Sequence, residues 1–108
     1  MEKSEVYQIE LAKLEEIFKD IDPAKAKLVE GLIQDAAFIK AENYVLKEQI
    51  KVTGMVRINP RNPLQQEAIE TGKQYLKNIN SYAVVIKALS SVLTKNIVDD
   101  GDELDEFE

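Results

Sequence analysis

Apolar residues recur along this chain in steps of three and four, the mark of helices with one buried face. One row runs Val29, Leu32, Ala36, Ile39, Asn43, Leu46, Ile50, and another runs Ala68, Gly72, Tyr75, Ile79, Tyr82, Ile86, Leu89, Leu93. A mean spacing of about 3.5 residues keeps such a row on one side of a helix, as a coiled-coil seam requires. Between the rows, Gly54, Pro60 and Pro63 interrupt helical continuation. The pattern predicts an all-α fold, a long antiparallel, coiled-coil-like helical hairpin. Its first helix runs from 22 to about Val52, its second over 64–96, and a tight reversal joins them. Asp22-Pro23 and Asn62-Pro63 supply the helix starts. Asp and Asn are favoured N-caps, and Pro is favoured at the first helical position. Val56-Arg57-Ile58 alternates with a period of two, too briefly to predict a strand by itself.

A third row, Tyr7, Leu11, Leu14, Phe18, Ile21, predicts an additional N-terminal helix over 4–20 with Ser4 as its N-cap. It either covers the hairpin or reaches to a neighbouring subunit. The organisation expected is therefore an N-terminal helix (1–21), a helical hairpin for oligomerisation (22–98) and an acidic, disordered tail (99–108).

The helix beginning at 22 carries more apolar surface than one partner covers. Ile33, Ala37, Ala41 and Tyr44 form a second stripe beside the seam, and Phe38 and Val45 lie nearly opposite it. A helix apolar over most of its girth must bury more than one face. The expectation is a homo-oligomer with Ile33, Ala37, Phe38, Ala41 and Tyr44 at the interface. The competing reading is a three-helix monomer whose first helix takes the second face. Asn43, polar among aliphatics, either fixes register or partner number or sits at a solvated edge. Gly72 within its row implies close backbone approach, since glycine inside a helix otherwise costs about 1 kcal/mol. Tyr75 and Tyr82 read as core filler with hydroxyls reaching water.

Charge sharpens this picture. The net charge of −6 over 108 residues conceals an asymmetry. Residues 99–108 hold seven acids and no base, residues 1–20 hold six acids and three lysines, and residues 21–98 carry a net +4. Lys40, Lys47, Lys51, Arg57 and Arg61 fall at the far end of the hairpin, opposed only by Glu42 and Glu48. They are the candidate DNA-binding residues, contacting phosphates without reading sequence. The tail cannot drive its own folding. Its Leu104 and Phe107, spaced by three, are candidate anchors on a partner protein; otherwise the tail only aids solubility.

Catalysis finds no support. With neither Cys nor His in the chain, the usual zinc ligands and His-dependent chemistry are missing. No phosphate-binding loop or dinucleotide fingerprint is present. The expectation is a non-enzyme with no cofactor and no metal. No apolar run is long enough to span a membrane, no secretory leader is expected, and an intracellular home is the default for a chain without cysteine.

The layout resembles the phage terminase small subunit. The likeness lies in the long helix through Leu28-Val29-Glu30-Gly31-Leu32-Ile33 to Tyr44-Val45-Leu46-Lys47-Glu48-Gln49-Ile50, then Thr53-Gly54, then Asn59-Pro60 and Asn62-Pro63, and a long closing helix. It covers roughly residues 22–97. The resemblance implies a non-enzymatic DNA-packaging protein that assembles into a ring and engages double-stranded viral DNA. It also implies regulation of the large terminase subunit in the cytoplasm of an infected or lysogenic bacterial host, with the acidic tail contacting that subunit. Many relatives carry a separate helix-turn-helix domain, for which residues 1–21 are too short, so DNA contact is expected to fall to the assembled ring. The alternatives are a structural or adaptor coiled coil without nucleic-acid binding, and an acidic regulator similar to an antitoxin.

Overall fold

The computed structural model describes the backbone of residues 1–105 and the side chains of residues 1–94. The order is α1 (Lys3–Ile17), α2 (Pro23–Thr53), β1 (Val56–Asn59), β2 (Asn62–Ala68) and α3 (Glu70–Asp105). Helix α2 starts where Asp22-Pro23 requires, with Asp22 Oδ1 accepting from the Ala24 N–H at 2.9 Å. It stops at Gly54, whose φ of 75° is left-handed backbone that glycine adopts without a Cβ clash. Helix α1 begins at Lys3, with Glu2 at the N-cap position making no side-chain cap. Ser4 therefore lies inside the helix rather than capping it.

Helix α2 packs against both α1 and α3. The Lys3–Glu42 ion pair of 2.6 Å joins the start of α1 to the distal half of α2. Phe18 shares a crevice with Val29 and Ile33 near the start of α2, so the two helices are antiparallel. The core joins Leu14, Phe18 and Ile21 to Val29, Ile33 and Ala36 of α2 and Leu89 of α3. Tyr82, Val85, Ile86 and Leu93 pack around it. Thus α1 lies on the second apolar stripe of α2 within the same chain. Ile33, Ala37 and Ala41, expected at an interface between copies, are buried here. Tyr44 is half-buried, and Phe38 stays 58% exposed.

The expectation of a fold without strands is corrected. Residues 56–68 form an antiparallel β-hairpin between the long helices, and α3 starts at Glu70 rather than near 64. Asn62-Pro63, expected to start a helix, instead opens β2. Asn62 Oδ1 accepts from the Leu64 N–H at 3.2 Å, as a helix cap would, yet the chain continues extended. The ladder pairs Ile58 with Gln66 and Asn59 with Asn62, so residues 63–65 bulge out of register. Pro63, which has no N–H to give a ladder, falls in that bulge. Asn59 fixes the tip by accepting from the Arg61 N–H at 2.9 Å and donating to Gln65 Oε1 at 2.8 Å.

At the hairpin's base, the Ile69 N–H donates to the Met55 carbonyl at 3.0 Å, and Gly72 packs against the Met55 backbone. A Cβ at position 72 would stand 3.1 Å from the Met55 carbonyl oxygen and 3.2 Å from its Cα. The close approach expected of Gly72 is thus to the hinge before β1. Helix-interior Gly31, by contrast, has open space where a Cβ would go. Gly31→Ala is therefore expected to stabilise by up to about 1 kcal/mol through helix propensity. Gly72→Ala should lose stability by about 1–3 kcal/mol through overpacking. Urea unfolding checks both, and a stabilised Gly72→Ala would contradict the tight contact.

Candidate functional site

The five basic candidates separate into three settings. Arg57 and Arg61 stand on the β-hairpin, away from the helical core. Neither guanidinium forms an ion pair among the described residues, although Arg57 lies opposite Glu67 in the ladder. Arg57 lines an open groove of about 490 Å3 with Ile58, Asn59, Pro60, Gln65 and Gln66. Lys51, in the last turn of α2, is held by Glu48 at 2.8 Å. That hydrogen bond raises the ammonium's pKa and lowers the carboxyl's. Its charge is already answered, which weakens it as a phosphate contact.

Lys40 and Lys47 lie elsewhere, beside a cleft between α2 and α3. Both line a space of about 190 Å3 with Asn43, Tyr44, Tyr75 and Tyr82. The Lys40 ammonium stands 5.5 Å from the centroid of the Tyr82 ring, within cation–π range. The structure therefore does not gather all five residues at the tip: two guanidiniums project there, and two ammoniums flank an interhelical cleft.

A further polar group was missed from the sequence. Glu10 is only 4% exposed, yet it is a carboxylate on the apolar side of α1. Its Oε1 accepts from the Tyr82 hydroxyl at 2.8 Å, and its Oε2 lies 3.2 Å from Lys13 Nζ. The Tyr82 hydroxyl thus reaches a buried acid instead of water, tying α1 to α3. Position 10 precedes Leu14 by four residues and Phe18 by eight, which places it in line with the buried row. That alignment was the available signal.

Among the described residues, no group of three or more acidic side chains is placed to hold a metal ion, and no helix is long and apolar enough to cross a membrane. Leu104 and Phe107, the candidate anchors of the tail, lie outside the residues whose side chains are described. No family model, curated protein or solved structure matches the chain.

The Tyr82–Glu10 link gives a pH-dependent expectation. Burial, then the hydrogen bond to Glu10 and its charge, push the phenol's pKa up to about 12. The unfolded value is about 10, so the contribution is intact below pH 10 and is lost as pH rises towards 12. Tyr82→Phe should lower stability by about 1–3 kcal/mol at neutral pH, because the buried Glu10 Oε1 loses its donor. It should also reduce the fall in stability between pH 10 and 12, as followed by urea unfolding. An equal fall in both proteins would remove Tyr82 as its source.

Proposed function

We propose that this chain is a non-enzymatic small subunit of a phage terminase, an oligomeric regulator of genome packaging that engages viral DNA and the large terminase subunit. The observation that carries the reading is a hairpin with two unpaired arginines at one end of a thin helical layer that leaves apolar surface uncovered. The layer measures 71 × 33 × 16 Å, too thin to bury both of its faces. On the side of α2 away from the core, Phe38, Val45 and Val52 recur at seven-residue intervals. Phe38 is 58% and Val52 87% exposed. Such a row suits a coiled-coil contact with a second copy. In a closed assembly each copy contributes its own Arg57 and Arg61, and phosphate contacts add. The acidic segment 99–108, with Leu104 and Phe107, is the surface offered to the large subunit. This last part rests on the sequence.

Light scattering and DNA titration test the proposal together. The expected result is a closed assembly of many copies that binds duplex DNA, with affinity falling steeply as salt rises. Phe38→Glu with Val45→Glu should reduce the mass while circular dichroism stays helical. Charge reversal at Arg57 and Arg61 should keep the mass and flatten the salt dependence by about one phosphate contact per residue. A monomer overturns the reading. An assembly indifferent to DNA favours the adaptor coiled coil.

A further inference from the structure

The three helices form an open layer with two outer edges. Helices α1 and α3 each pack on α2, and the layer is only 16 Å thick. The side of α1 turned away from α2 carries Glu5, Ile9, Ala12 and Glu16, which step by four, three and four. All four are exposed, Ile9 by 57%, whereas Glu10 and Leu14 on the inner side are buried. The side of α3 turned away from α2 carries Lys77, Asn80, Val84 and Lys87, which step by three, four and three. These too are exposed, Val84 by 69%, whereas Leu89 on the inner side is buried. Each edge is thus an apolar strip between two charges.

The charges are opposite and stand at matching heights. Residues 71–94 of α3 hold three lysines and no acid. Among the described residues, Lys77, Lys87 and Glu5 form no ion pair. Glu16 holds Lys19 at 2.6 Å, an exposed pair that another lysine replaces at little cost. Helix α3 starts beside Met55 at the end of α2, and its Leu89 packs with Val29 and Ile33 near the start of α2. It is therefore antiparallel to α2, as α1 is, and parallel to α1. The Tyr82–Glu10 hydrogen bond sets the two parallel helices level. Glu5 lies five residues before Glu10, and Lys77 lies five before Tyr82. Glu16 lies six residues after Glu10, and Lys87 lies five after Tyr82. One residue of mismatch is a rise of about 1.5 Å.

We propose that copies of this chain join edge to edge, the outer face of α1 in one copy against the outer face of α3 in the next. Glu5 meets Lys77 and Glu16 meets Lys87, with Ile9, Ala12 and Val84 closing between them. The two faces differ, so the contact is head-to-tail, which gives a ring when the rotation closes. In a ring whose axis runs along the helices, every copy stands at one height, and the matching heights of acid and base are what such a ring needs. Two α1 edges, or two α3 edges, would set like charges together, which selects against a two-fold contact. The inference rests on the assembly assigned above and names its edges, which are separate from the Phe38 row on α2.

A charge swap read by light scattering on the full chain tests the edges. One variant carries Glu5→Lys with Glu16→Lys, the other Lys77→Glu with Lys87→Glu. Each alone should need at least about tenfold more protein to reach the wild-type mass, because like charges then face each other. Mixed in equal amounts, the two should regain that mass, since every contact between unlike copies again pairs acid with base. An unchanged mass in either variant, or a mixture no heavier than its parts, overturns the proposal. If a reversal unfolds the chain, as circular dichroism would show, Val84→Asp decides, and an unchanged mass there is equally fatal. A wild type that assembles and binds DNA while the variants keep its mass overturns the edges and leaves the packaging reading standing. A monomeric wild type overturns both. An assembly that obeys the charge swap but ignores DNA upholds the edges and removes the packaging role.

Discussion

How closely two helices can approach α2 determines the rest of this structure. Ala36 and Ala37 are wholly buried, and Ala41 nearly so. Side chains of one carbon leave room for α1 and α3 to lie against adjoining flanks, and helix separation follows the size of the side chains at the contact. The bulk of the core then comes from the neighbours: Leu14 from α1, Phe18 and Ile21 from the turn after it, and Leu89 from α3. A larger residue at 36 or 37 would push one helix away and open the core to water. The same arrangement decides which side of α2 stays bare. With two flanks occupied, the remaining arc carries the exposed Phe38 and Val52, with the half-buried Val45 between them.

Most of the helical layout was legible because it rests on local chemistry and period. Asp22-Pro23 starts α2 as its chemistry requires, and the rows hold over most of their length, although Ala68 falls in β2, Ile79 is exposed, and Phe18 and Ile21 lie past the end of α1. The hairpin was not legible, because Asn-Pro serves a helix start and a bulged turn equally well. Residues 64–68, Leu-Gln-Gln-Glu-Ala, also favour helix by composition. What makes Gln66, Glu67 and Ala68 extended is pairing with Ile58, Arg57 and Val56, a tertiary contact that no single window of sequence displays. A two-stranded ribbon is marginal alone. Here it is anchored by the Ile69–Met55 hydrogen bond and by Gly72 against the hinge.

The candidate residues divide along the same line. Excess girth on α2 leads to the expectation of a second copy, because periodicity alone cannot say whether the covering helix belongs to the same chain. Helix α1 answered for Ile33, Ala37 and Ala41, leaving Phe38. Charge density along the sequence likewise grouped five basic residues that the fold distributes over a ribbon, a helix end and a cleft. Lys51 follows Lys47 by four residues and shares its face of α2, so position along the helix, not phase, separates it from the cleft that Lys40 and Lys47 line.

The polar groups fall into two kinds that follow from their distance to the core. Glu10, Tyr82 and Asn43 sit where the helices meet, so each needs a partner, and substitution there disturbs packing as well as chemistry. Exposed pairs such as Lys19–Glu16 and Lys73–Glu70 contribute little, because water screens them. Arg57 and Arg61 belong to neither kind. The ribbon that carries them meets the body at its base and has Leu64 93% exposed at its bulge. Charge there can change without penalty to the core, and a ligand that meets those arginines need not disturb the helices. Stability and surface charge are thus assigned to separate parts of one small chain, and a charge reversal at the hairpin tip tests recognition without also testing the fold.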